Sequence, residues 1–273
     1  MLAAAAAALA LAAAAAVPPH GIVAADVHGR LLVLDARGAT VRRVPGIVGR
    51  AVEGIAVAPD RRHAYVSAYR ADAPARLYRV DLTSGDRQLI AHGLSPALSP
   101  DRTRLAYLAS DFHGDIKYVT ALVVLDLRTG LSHRLPFDRN VAQGTPPEIV
   151  LGWSPDARRI ALYDGHTLRI ADAQATAPAS SQPSVAGGGL APVYLDARTL
   201  VLLANCCIGS QRLVAVDLRT KTRSTFAHIS SPVETGQRLR DGMLLLTTAL
   251  DELVVVSRGH ARVLAHGITA AAS

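Results

Sequence analysis

Chemistry in this chain would have to come from carboxylates, histidines and one pair of cysteines. The densest titratable cluster is Asp111-Phe112-His113-Gly114-Asp115, in which two carboxylates flank an imidazole within five residues. Such a set can hold a cation or grip a polar ligand. Further polar candidates are Asp138-Arg139-Asn140 and the histidines His166 and His228. Three glutamates, Glu53, Glu148 and Glu234, precede the turn aspartates Asp60, Asp156 and Asp241 by 7, 8 and 7 residues. Brought together, their carboxylates would supply oxygen ligands for an ion such as Ca²⁺. The competing view makes them strand-initiating acids that pair with nearby Arg50 or Arg238. No histidines are spaced four apart, and there is no Gly-x-Ser-x-Gly, no phosphate-cradling glycine loop and no Ser-x-x-Lys. The only cysteines, Cys206 and Cys207, are adjacent, which excludes a long-range disulfide framework and metal-type spacing. In an oxidising compartment they are a candidate vicinal disulfide. Neighbouring Cα atoms lie about 3.8 Å apart, below the usual disulfide range, so two thiols remain the alternative.

The elements that must position these groups repeat. An apolar run ending in an acid occurs at Leu31–Asp35, Leu77–Asp81, Val123–Asp126, Leu168–Asp172 and Leu213–Asp217, and again at Leu253–Ser257 without the acid. The final residues are spaced by 46, 45, 46, 45 and 40. A period near 45 with one such strand per period is the pattern of propeller blades. A second signal sits between strands: Ala58-Pro59-Asp60, Ser99-Pro100-Asp101 and Ser154-Pro155-Asp156, with weaker copies at Leu195-Asp196-Ala197 and Arg240-Asp241-Gly242. Proline presets φ and aspartate bonds the backbone two residues on, so each makes a tight hairpin. A unit is therefore four strands: A before the Pro-Asp hairpin, B after it, C with the terminal acid, and a more polar D. The repeated C-strand acid sits where the chain turns, a place for accepting backbone N–H bonds rather than for five separate active sites.

These units cover about 51–91, 94–136, 146–187, 190–228 and 232–266. The first unit, which begins at Ile22, lacks an A strand. A spare segment, 267–273, follows the last D strand. The expected fold is all-β: a six-bladed propeller of four-stranded antiparallel blades, ring-closed by that segment entering blade one, which removes an exposed edge. In this arrangement the B–C and D–A connections share one face. That face receives Asp111–Asp115, Asp138–Asn140, His28, His92, His113, His166, His228 and His266.

Composition agrees with a large single repeat domain over 18–273. The chain has 273 residues, 50% hydrophobic, with a formal net charge of +7. Lys117 and Lys221 are its only lysines, and the arginines alternate with aspartates, as in Asp101-Arg102-Thr103-Arg104. Without a basic tail or interleaved aromatics this is a solvated surface, not a nucleic-acid interface. Residues 1–16 are almost pure Ala and Leu, too short for a confident membrane span and followed by Val17-Pro18-Pro19. The expected role is an export signal peptide, the alternative an Ala-rich N-terminal helix.

The Ser-Pro-Asp hairpins, each followed by an apolar strand and then an apolar-Asp strand, resemble the repeats of TolB-type six-bladed β-propellers. Arg61, Arg102 and Ala157 stand where that family commonly has glycine. The resemblance implies an exported bacterial propeller, secreted or in the cell envelope, whose faces bind a partner. The expectation is a monomeric protein- or ligand-binding scaffold with no cofactor and no catalysis of its own. Its partner would be an envelope or extracellular protein, peptide or glycan. The competing class is a Ca²⁺-like metal-dependent hydrolase or lyase built on Glu53, Glu148 and Glu234.

Overall fold

The computed structural model describes residues 16–46, 51–69, 73–113, 116–141, 151–163, 168–174, 180–181, 192–203, 211–239 and 241–273. For 69, 112–113, 116–118, 136–141, 163, 180–181 and 203 it gives backbone alone. These residues form 23 strands and no helix. Short runs of Val, Leu and Ala become strands because branched and alternating side chains suit a pleat buried on both faces.

The first sheet holds β1 (Ile22–Asp26), β2 (Leu31–Leu34) and β3 (Thr40–Arg43). Next come β4 (Ala51–Val57), β5 (His63–Tyr69), β6 (Arg76–Asp81), β7 (Arg87–Leu98), β8 (Arg104–His113), β9 (Ile116–Asp126) and β10 (Ser132–Val141). These seven form one antiparallel sheet in the order β10-β9-β8-β7-β6-β5-β4. Two units expected to be separate are thus joined: the outer strand of the second and the inner strand of the third are the single strand β7. Four-stranded sheets follow, made of β11 (Leu151–Trp153), β12 (Arg159–Tyr163), β13 (Leu168–Asp172) and β14 (Ser180–Ser181), then of β15 (Val193–Tyr194), β16 (Thr199–Leu203), β17 (Gln211–Asp217) and β18 (Arg223–Ile229). The last consists of β19 (Val233–Arg238), β20 (Leu244–Thr248), β21 (Glu252–Ser257) and β22 (His260–His266). Finally β23 (Ile268–Ala272) returns to the first sheet, giving the order β23-β1-β2-β3 with Val23 opposite Ala272 and Ala25 opposite Ala270.

Each sheet buries its faces against neighbours. Val23 and Leu31 pack with Val52, Val66 and Val80. Leu108 and Leu122 pack with Leu151, Trp153 and Ile160. Leu168 meets Tyr194 and Leu200, and Leu213 meets Val233 and Leu244. Leu245 and Leu253 of the last sheet pack with Ile22, Leu34 and Ile268 of the first. Fully burying one such side chain contributes about 1.5–3 kcal/mol. First and last sheets also meet at Gly38, where φ is +89° and an added Cβ would lie 2.4 Å from the Leu264 carbonyl oxygen. Only glycine fits there.

Directional contacts set how the sheets meet. In the Ser-Pro-Asp hairpins the serine hydroxyl donates to the aspartate, Ser99 to Asp101 at 2.5 Å and Ser154 to Asp156 at 2.5 Å. The same hydroxyls accept the N–H of Arg104 (3.0 Å) and Arg159 (2.8 Å). The guanidinium of Arg104 then crosses to the next sheet, donating to the Ala157 carbonyl at 2.6 Å and lying 5.1 Å from the centre of the Trp153 ring. Arg159 repeats this one sheet on, with the Ala197 carbonyl and the Tyr194 ring. Trp153 closes the contact backwards, its Nε1 donating to the Ala97 carbonyl at 3.0 Å. The residue after Pro-Asp is left-handed, with φ of 54° at Arg61, 59° at Arg102 and 56° at Ala157, a conformation that glycine adopts without strain. Each carries a strain of about 1 kcal/mol or more.

The pairing of β23 with β1 predicts a specific weakness. Ala270 is fully buried among Val23, Ala25 and Leu31. The substitution Ala270→Asp should destabilise the fold by roughly 3 kcal/mol or more. Chemical denaturation measures this; a variant as stable as the parent would show that β23 does not occupy this place.

Candidate functional site: a central cavity and its two mouths

Every sheet sends an inner strand to one central cavity of about 630 Å³. Its walls include Glu53–Val57 of β4, Ser95–Leu98 of β7, Leu151–Trp153 of β11, both residues of β15, Thr235–Arg238 of β19 and Ala270–Ala271 of β23. A space of this size suits a small ligand or a slender chain segment. Strand ends define two mouths. The Pro-Asp hairpins and the C–D turns lie at one, hereafter the turn face; the B–C and D–A connections lie at the other.

The repeated acids belong to the turn face, and all of them serve the turns. Asp35 accepts the N–H groups of Arg37 (2.8 Å) and Ala39 (2.9 Å). Asp81 accepts those of Thr83 and Ser84, Asp126 those of Arg128 and Thr129, and Asp217 those of Arg219 and Thr220. Asp172 accepts the N–H of Gln174 at 2.8 Å. These bonds hold Asp35, Asp126 and Asp217 below the ordinary value of 3.8, chiefly through the N–H groups of Ala39, Thr129 and Thr220. For Asp156 the main cause is the Ser154 hydroxyl. Such carboxylates hold the fold and are not poised for proton transfer.

At the other mouth the structure places the sequence candidates unevenly. Asp111 and His113 were expected in a loop but lie on β8, which pairs with β9 out to His113 opposite Ile116. The alternating apolar residues on both sides of Gly114 carry the hairpin further than the acids suggested. Asp138, Arg139 and Asn140, also expected in a loop, continue β10, where Val141 pairs with Val119. The side chains of His113, Asp138, Arg139 and Asn140 are not described. Asp115, Glu148, His166, Cys206, Cys207 and residues 1–15 of the expected signal peptide lie outside the described residues. Among exposed histidines, His28 follows Asp26 in the β1–β2 turn, His92 lies opposite Arg76, His228 opposite Arg212, and His266 opposite Glu252. All four therefore lie at this mouth, His266 with its Nδ1 3.9 Å from Glu252.

Glu53 and Glu234 share a backbone feature that sequence reading missed. Each is the extra residue of a β-bulge, between Val52 and Gly54 and between Val233 and Thr235. Thr269 and the Ser95-Pro96 pair occupy matching irregularities in β23 and β7. Bulges re-aim side chains near barrel and sheet rims. Yet the two glutamates part company: Glu53 lines the cavity, whereas Glu234 lies outside its lining. Burial pushes the Glu234 carboxyl up, and the Asp251 charge adds to this. Among the described residues no three His, Cys, Asp or Glu side chains form a group able to hold a metal ion.

Solved structures can now be set beside this geometry. TolB from Acinetobacter baumannii matches with a TM-score of 0.58 at 15% identity, over 89% of this chain and 64% of that one. This chain thus spans less than two-thirds of that protein's length. A putative TolB from Agrobacterium tumefaciens gives 0.57 at 14% identity and 92% of both chains. An oligogalacturonate lyase in complex with manganese gives 0.52 at 14% identity, over 85% and 69%. No protein-family model matches the chain, and no curated protein matches it in sequence. At such identities the likeness defines the fold: the protein is an all-β propeller, with antiparallel sheets arranged around an axial cavity.

Two pH predictions follow from the carboxylates. Depressed acids add stability that is complete above the unfolded value near 3.8 and is lost as pH falls through their lower folded values. The melting temperature should be level from about pH 7 to 5 and drop below about pH 4. A triple Asp35→Asn, Asp126→Asn, Asp217→Asn variant should melt lower at pH 7 with a shallower acid dependence. Glu234 has the opposite sign. Its folded value lies above 4.5, so it costs stability as pH rises past that point. Glu234→Gln should therefore melt above the parent at pH 7.5, and the gap should close near pH 4. Equal melting curves at both pH values would refute this assignment.

Proposed function

We propose that the chain is an exported, six-bladed propeller, closed into a ring by β23, that acts as a binding scaffold with no catalysis of its own. Its partner would be an envelope or extracellular protein, held at the mouth that carries His28, His92, His228 and His266. The single observation that carries this reading is the assignment of the repeated acids: each described copy accepts an N–H of its own turn, while the axial cavity stays open and is lined by an inner strand of every sheet. The packing of the last sheet on the first, with β23 bonded to β1, supports a closed ring. TolB-like neighbours support a protein partner and an envelope or secreted location. The hydrolase or lyase reading has only Glu53 on the cavity wall to support it among the described glutamates.

A photo-crosslinking residue in place of His228 should capture a discrete polypeptide in cells, and one in place of Arg128 on the turn face should not. Capture at neither position, or metal-dependent turnover of a glycan or ester by the purified protein, would overturn the scaffold reading.

A further inference from the structure

The turn-face end of the central cavity is lined by cationic and amide donors that lie away from the proposed partner-binding mouth. Four arginines from two sheets line it: Arg61 after β4 and Arg102 after β7 in the seven-stranded sheet, and Arg238 at the end of β19 and Arg262 on β22 in the last sheet. Asp241 is the one side-chain carboxylate at this end, where Ser273 after β23 also lines the wall, and Asp241 accepts the N–H of Met243 at 3.1 Å. The other side-chain carboxylate in the lining, Glu53, sits seven residues before Asp60, towards the far end of β4. Arg61 is held in place, its Nε donating to the Val17 carbonyl at 3.0 Å and an Nη to that of Pro18. Beside Arg238, the amide Nε2 of Gln237 is buried on the cavity wall with no hydrogen-bond partner among the described residues. A buried donor without an acceptor costs about 1–3 kcal/mol, a cost that an incoming acceptor removes. Guanidinium groups and an amide N–H together ask for an anion rich in acceptor oxygens.

We propose that this end of the cavity binds a small multivalent anion, a phosphate ester or a polycarboxylate. Arg102, Arg238 and the Gln237 amide contact its oxygens, and the anchored Arg61 adds its charge. The site is independent of the partner-binding reading, because it occupies the opposite mouth.

Isothermal titration calorimetry of the purified protein with inorganic pyrophosphate and, separately, with citrate tests this. Saturable binding of at least one, weakening as salt rises, is expected. Arg238→Ala and Arg102→Ala should each weaken it about tenfold, and Gln237→Leu should weaken it with the melting temperature unchanged or raised. Arg128→Ala, a turn-face arginine outside the cavity lining, should leave affinity unchanged. Pyrophosphate alone would point to phosphate esters, citrate alone to polycarboxylates. Absence of saturable binding at millimolar anion, full affinity in the cavity variants, or equal loss in Arg128→Ala would overturn the proposal.

Discussion

An arginine that reaches from one sheet to the backbone of the next is the contact on which this architecture turns. Apolar faces drive the sheets together, but burial is non-directional and would tolerate many angles. Arg104 and Arg159 remove that freedom. Each stacks on an aromatic ring of the following sheet and donates to a hairpin carbonyl there. Each arginine's own hairpin is in turn shaped by the serine that accepts its N–H, Ser99 for Arg104 and Ser154 for Arg159. One residue thus couples a turn, a strand start and an inter-sheet angle. Charge-assisted bonds and cation–π stacking are among the stronger polar contacts, and here they are repeated in register.

Much of the fold was legible before any coordinates, because spacing survives where residue identity does not. The apolar-Asp strands and Pro-Asp hairpins mark the strand boundaries, and the spare C-terminal run does pair with β1. Three things were hidden. The fusion of two units through β7 depends on a kink at Ser95, whose φ is +53°, followed by Pro96, and neither residue announces continuity. The acids at 111–115 and 138–140 suggested loops, yet cross-strand pairing carried β8, β9 and β10 through or up to them. The arginines looked like dispersed solubilising charge, and only their three-dimensional neighbours show that several hold carbonyls and rings. The candidate site was legible in its face but not in its membership: Glu53 and Glu234 match in sequence position and in bulge, and still only one reaches the cavity.

The two mouths also differ in what they leave for other molecules. On the turn face the C-strand aspartates accept N–H bonds from their own turns, and arginines line the cavity beside them. The opposite mouth keeps exposed imidazoles and acids at strand ends. A propeller of this kind can therefore present two chemically distinct surfaces on one axis without any change in its repeated scaffold.

The continuous strand β7 gives this propeller one junction of a different kind. Elsewhere among the described residues adjoining sheets meet through packed side chains, arginine–carbonyl bonds and single backbone bonds such as Gly259 N–H to the Phe226 carbonyl. Across β7, one covalent backbone is bonded on one edge to β6 and on the other to β8. Residues 87–92 of this strand pair with β6 and residues 93–98 pair with β8, so the two units are joined by unbroken strand backbone. The seven strands from Ala51 to Val141 therefore form one hydrogen-bonded sheet in which two units share a single strand.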